Sequence, residues 1–274
     1  MNSFIDFLNN FLPFAYLVTF GAYSFDFMKG GKRRFEFARL SLFITLVIHL
    51  IYLLARTAEF NHPPITNVFE IFTILAFAVS FSYFILELVT DIRGTGPFII
   101  IIPILFQLIS SIFIEDLTEV KEVLRSNLLG SHVFTALMGY AGFTISAVYG
   151  FLYLILYKDI KLNKFGLIFN KLPNLEILER LSYISAVIGF ILLTISMIIG
   201  VIWLPSAFPD FSYLDPKLIG SSLVWLLYAI GIASKIFVKW RGRKLVFLSI
   251  TGFVVAIIST FLSNFLAKSF HSFY

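Results

Sequence analysis

Ile184-Ser-Ala-Val-Ile-Gly-Phe-Ile-Leu-Leu-Thr-Ile-Ser-Met-Ile-Ile-Gly-Val-Ile-Trp-Leu204 runs for 21 residues without one ionisable side chain. As a helix it rises about 31 Å, the thickness of the hydrocarbon core of a bilayer. Working outward, seven further stretches meet the same rule of ~20 mostly apolar residues. They are Phe4–Phe25, Leu40–Leu54, Val68–Val89, Pro97–Ile114, His132–Tyr157, Leu218–Val238 and Leu245–Ala267. The second is short for a span, a mismatch that tilt or local thinning accommodates. The predicted fold is therefore all-α: a polytopic integral membrane protein with eight transmembrane helices, forming a single transmembrane domain over residues 1–274. An even number of spans puts both termini on one side.

Composition agrees with this reading. Hydrophobic residues make up 59% and charged residues 14% of the 274, against ~25% charged in an ordinary soluble domain. The mean hydropathy is +0.92. A soluble domain of this size has too little interior to hide so much apolar surface. The absence of cysteine removes disulfides, Fe–S clusters, thiolate zinc sites and thioether-linked haem on this chain. No secretory signal peptide is evident, because the first apolar stretch lacks a basic leader and a small-residue cleavage site.

Charge sets the expected orientation. Of the 21 Lys and Arg residues, 16 fall on one side of the predicted spans: Lys29 to Arg39, Arg93, Lys158 to Arg180, and Lys235 to Lys244. The other five are Arg56, Lys121, Arg125, Lys217 and Lys268. By the positive-inside rule the basic side is cytoplasmic, so both termini are extracytoplasmic. The net charge of +5 thus reflects membrane topology, with no nucleic-acid partner implied. Two connections have helical spacing: Glu115–Ser131 outside, and the stretch from Pro173 inside, with Leu175, Leu178 and Leu181 on one face. Both are predicted to be interfacial amphipathic helices.

The candidate chemistry lies mostly on the outer side. Of four histidines, His62, His132 and His271 are predicted to lie there, and His49 sits in the second span. Two imidazoles on opposite faces of a haem supply its axial ligands; interfacial histidines also simply sit at headgroup level. His49, as a polar group inside the membrane, is either functional or hydrogen-bonded to a facing helix. The outer segment from Trp203 to Lys217 places Trp203, Phe208, Phe211 and Tyr213 within eleven residues. Such rings either sandwich a planar apolar ligand or form an interfacial belt. Glu70 and Asn264 read as helix-packing polar groups. Glu87 and Asp91 beside Arg93 read as local charge pairing. Gly30-Gly31-Lys32 and Gly94-Thr95-Gly96 are turns beside spans and lack the strand-loop-helix context of a phosphate loop. No metal-ligand spacing, Ser/His/Asp constellation or internal repeat is present, which disfavours hydrolases and inverted-repeat transporters.

Several segments, in order, resemble the CcsA/CcmC/HemX superfamily of cytochrome c assembly and haem-handling membrane proteins. The best match runs over about residues 56–274. The segments are Asn61-His62-Pro63-x-x-x-Asn67-x-x-Glu70; Leu129-Gly130-Ser131-His132-Val133 with Gly139-Tyr140-Ala141-x-Phe143; Gly200-x-x-Trp203; Asp215-Pro216-Lys217; Trp225-Leu226-x-Tyr228-Ala229; Trp240-Arg-Gly-Arg-Lys244; and Asn264 with His271-Ser272.

The resemblance implies that His132 and His271 are the axial ligands of a non-covalent haem b, with the Trp203–Lys217 loop, including Phe208, Phe211, Tyr213 and Asp215, beside it. His49, His62 and Glu70 are accessory candidates. It implies a subunit of a cytochrome c haem lyase or synthase, not an enzyme alone, in a bacterial cytoplasmic (inner) membrane. Its partners would be a CcsB-like membrane protein and a CxxCH apocytochrome c, and haem would be presented on the extracytoplasmic face. The family has tryptophans where this chain has Phe208, Ser212 and Leu214, and a histidine where it has Ala233. These departures, and a length short for a synthase subunit, point to an alternative: a HemX-like membrane regulator or scaffold linked to haem biosynthesis.

Overall fold

The computed structural model describes residues 3–116, 120, 126–207, 212 and 214–262. Among them it is all-helical: α1 (Ser3–Lys29), α2 (Lys32–Phe60), α3 (Val68–Thr90), α4 (Gly96–Phe113), α5 (Asn127–Lys161), α6 (Leu167–Lys171), α7 (Leu175–Ala207), α8 (Pro216–Phe237) and α9 (Arg243–Phe261). All but α6 are long and apolar enough to cross a membrane. The chain is an integral membrane protein. Its polarity is inverted relative to a soluble bundle. Phe4, Phe7, Phe14, Ile202 and Phe237 face outward, whereas Thr19, His49, Thr73, Glu87 and Gln107 are buried. Lipid solvates the first set, and polar groups are tolerated only where other protein groups satisfy them.

Two compact units divide the described chain. One holds α1–α4 and α6, the other α5, α7, α8 and α9.

In the first unit α2 is much longer than the sequence-based span Leu40–Leu54. Charges that read as span ends lie within the helix because each has a carboxylate partner. Arg39 is bonded to Asp91 and its Nε lies 3.5 Å from Glu87 Oε2. That bond holds the exposed Asp91 carboxyl below the usual carboxylate range. Arg93 pairs with Asp91 only at 3.9 Å, so the main partner of this acidic pair is Arg39. Tyr23 and Tyr83 hydroxyls donate to Glu87 at 2.7 and 2.9 Å. At the other end of α2, Arg56 donates to Glu70 Oε1 at 3.0 Å and to Asp116 at 2.8 Å. Gly30 and Gly31, with φ of 68° and 118°, make the tight α1–α2 turn that a side chain would strain.

In the second unit α5 packs most extensively on α7. Gly142 and Gly189 let the two backbones meet: a Cβ on Gly142 would lie 2.9 Å from Gly189 Cα and from the Ser185 carbonyl. Small residues at a helix crossing do this wherever lipid supplies no hydrophobic drive for association. Ser182 Oγ donates to the Ser146 carbonyl at 2.9 Å along the same seam. Phe143 stacks on Tyr228 with centroids 3.7 Å apart, and Trp225 Nε1 donates to Thr194 Oγ1 at 2.8 Å, tying α8 to α5 and α7.

Two expectations about connections change. The stretch after Pro173 is not a separate interfacial helix: it is the start of α7, continuous with the span, with Leu178 and Leu181 fully buried. Its acidic face is partnered, since Glu179 accepts from Lys235 at 3.2 Å and from the Gly242 N–H at 2.8 Å. The five-residue α6 precedes it. Residues 117–119 and 121–125 of the outer amphipathic stretch lie outside the described residues, and its last part, from Asn127, belongs to α5.

Candidate functional site

The candidate site is a cavity of about 480 Å³ in the second unit, walled by α5, α7 and α8. That is the size range of small-molecule and cofactor sites. Its lining is mostly apolar, with Leu129, Met197, Val201, Leu204, Leu218 and Ile219, and Trp203 adds a buried indole. His132, half-buried near the start of α5, is its one imidazole. A second, wholly apolar hollow of about 330 Å³ shares Met197 and Val201 with it, and reaches the outward-facing Ile198 and Ile202.

The His132 ring is held in one tautomer. Its Nδ1 lies 2.8 Å from the Ser196 backbone carbonyl. A carbonyl only accepts, so Nδ1 carries the hydrogen and Nε2 keeps its lone pair. No described residue bonds that lone pair. Ser196 Oγ donates back to the His132 carbonyl at 2.8 Å, fixing the turn of α5 from which the ring projects. Gly200, one turn further along α7, leaves room for the ring: a Cβ there would lie 2.9 Å from His132 Cε1. A neutral imidazole with one nitrogen pinned to a carbonyl and the other open is the arrangement of a metal-ligating histidine.

The other sequence-predicted residues divide three ways. Trp203 joins His132 in the cavity. Phe208, Phe211, Tyr213, His271 and Asn264 lie outside the described residues. His49, His62 and Glu70 sit in the first unit, each in hydrogen bonds of its own.

His49 Nδ1 is 2.9 Å from the Tyr16 hydroxyl and its Nε2 is 2.9 Å from Thr73 Oγ1. Thr73 donates its only hydrogen to Gln107 Oε1 at 2.7 Å, so it accepts from Nε2–H and Nδ1 accepts from Tyr16. Gln107 Nε2 continues to Ser111 Oγ, which donates to the Asn9 carbonyl. Both nitrogens of His49 are therefore engaged with protein. His62 Nδ1 is 2.9 Å from the Pro63 carbonyl.

Glu70 is fully partnered, taking Arg56 on Oε1 and the Thr66 N–H and hydroxyl on Oε2, each at 2.7 Å. Asn61 ends α2 in the left-handed conformation, and Asn67 caps α3 by accepting from the Glu70 N–H at 2.8 Å. The motif Asn61 to Glu70 is thus a helix-to-helix turn locked by a buried ion pair. Asp215 likewise caps α8, its Oδ1 accepting the Lys217 N–H at 2.8 Å. Ser196 was missed from sequence, and Gly200 entered only through the segment Gly200-x-x-Trp203, although the three recur at helical spacing on one stripe of α7.

The sequence model of the Cytochrome C assembly protein family matches residues 14–271. The chain belongs to this family. The match also takes in the second half of α1, from residue 14, and α2, upstream of most of the segments on which the resemblance rests. Relatives named cytochrome c biogenesis protein CcsA are similar over most of their lengths. That of Guillardia theta is 28% identical over 288 residues, covering 98% of this chain and 96% of the relative. That of Prochlorococcus marinus strain MIT 9301 is 30% identical over 88% and 85%, and that of Pyropia yezoensis 27% over 99% and 97%.

Proposed function

We propose that this chain is the haem-handling membrane subunit of a cytochrome c biogenesis system, presenting haem on the extracytoplasmic face of a bacterial cytoplasmic membrane to a CxxCH apocytochrome c. The observation that carries this reading is the His132–Ser196 contact, which leaves an imidazole lone pair open in an apolar cavity beside an indole. Haem is the cargo and not a resident cofactor. His132 Nε2 takes one axial position on the iron, and His271 takes the other. Trp203 of α7 supplies an apolar wall for the macrocycle, with Phe208, Phe211 and Tyr213 from the sequence that follows α7. Two fixed axial bonds orient the ring so that each vinyl C=C meets an apocytochrome thiol, whose S–H adds across it to form a thioether. A CcsB-like partner completes the assembly. Asp215 acts by holding the first turn of α8, and Glu70 by holding the α2–α3 turn.

The test is haem content and the reduced absorption spectrum of protein purified in detergent after expression with ample haem. Wild type is expected to carry haem, and the His132→Ala, His271→Ala double variant to lose it. A wild-type protein devoid of haem, or a double variant that retains as much, overturns the reading.

A further inference from the structure

One cation belongs to the His132 cavity: Lys217, in the first turn of α8. Its position is unfavourable for the helix. The N-terminal end of a helix carries partial positive charge and disfavours a further cation. Its backbone is fixed there nonetheless, by Pro216 before it and by its own N–H on the Asp215 carboxylate. The Lys217 ammonium has no carboxylate within 4 Å among the described residues, although the Asp215 carboxylate two residues back acts on it electrostatically and already accepts the Lys217 N–H. The other polar groups at that wall are two serines. Ser221 Oγ donates its only hydrogen to the Lys217 carbonyl at 2.8 Å or the Leu218 carbonyl at 3.1 Å, so it has none left for a ligand. Lys217 thus stands as the charged donor of an apolar cavity whose opposite resource is the open Nε2 of His132.

We propose that Lys217 reads a carboxylate of the cavity's ligand: its ammonium binds a propionate of the tetrapyrrole whose iron His132 takes, so that the site selects free-acid haem over its esterified form. This rests on the haem-handling reading above and deepens it. Charge-assisted hydrogen bonds are the strong ones, and Lys217 is a half-buried residue lining an apolar cavity, where an ammonium is poorly matched by water. The competing role for a lysine at this depth is snorkelling, with the amine in the headgroup layer and only its methylenes against the wall. In that role the ligand's carboxylates are irrelevant.

The experiment is a Soret titration of the purified full chain in detergent, with haem and with haem dimethyl ester, on wild type, Lys217→Gln and Lys217→Arg. We expect wild type to bind haem at least about tenfold more tightly than the diester. Lys217→Gln should lose that preference by weakening haem alone, and Lys217→Arg should keep it. Equal wild-type affinity for the two ligands, or an unchanged preference in Lys217→Gln, overturns the role of Lys217 while leaving haem binding in place. Absence of any Soret shift in wild type with either ligand overturns the haem reading itself, and with it this proposal. A fall in Lys217→Gln affinity for both ligands alike marks a structural role and overturns the proposal too.

Discussion

Gly200 is where one added methyl group reaches the candidate ligand most directly. Its Cβ would lie 2.9 Å from His132 Cε1 and 3.1 Å from Nδ1, so the ring must turn off the Ser196 carbonyl. Alanine is the better helix former by about 1 kcal/mol, so α7 itself does not suffer. Gly200→Ala is expected to weaken haem binding about tenfold or more, the effect of a 1.4 kcal/mol displacement, with thermal unfolding unchanged or raised. A Soret titration beside a detergent melting curve checks both halves. Arg56 behaves differently. Arg56→Gln leaves the buried Glu70 carboxylate without its cation, which costs roughly 3–5 kcal/mol. Removing both charges, as Arg56→Met with Glu70→Leu, is expected to recover part of the melting temperature. It recovers only part because the Thr66 N–H loses its acceptor. At this scale sequence reading singled out His132 and Trp203, which share one cavity, because an imidazole and an indole near a span end stand out. It could not tell that Glu70 and Asp215 are commitments to a turn and a cap, since only geometry shows which donors a carboxylate receives.

Helices were read well where charge marks their ends and poorly where charge is neutralised inside the fold. α3 departs from its expected bounds by one residue at one end, whereas α2 extends far past Leu40–Leu54, because Arg39 and Arg56 have acidic partners that hydropathy does not see. The α5–α7 seam was invisible for a related reason: glycines in a long apolar run carry no sign of which one meets a neighbouring backbone. Gly142→Ala is expected to destabilise by about 1–3 kcal/mol, since backbone faces it and cannot yield as a side chain would. Gly21→Ala is the control, with nothing within 4 Å of its Cβ, and is expected to be neutral or stabilising by up to about 1 kcal/mol. Thermal unfolding of the two variants in one detergent makes the comparison.

For the molecule as a whole, the eight spans were legible because bilayer thickness leaves little choice about length. The expected orientation rests on charge alone, and the lack of native cysteine makes it easy to test. In intact cells a membrane-impermeant maleimide is expected to label Leu214→Cys, and to label Lys239→Cys only after permeabilisation. The reverse pattern would invert the topology. The hydrogen-bonded row through the first unit bears on the same membrane in another way. From Tyr16 through His49, Thr73, Gln107 and Ser111, every hydrogen points along the row toward Asn9. A proton moving along it would have to be handed on by its last member, and that member is a backbone carbonyl, which has no hydrogen to give. Polar groups threaded through a bilayer interior invite leakage of an ion gradient. This row ends blind on an acceptor, so it ties four helices together and offers a proton no donor to leave by.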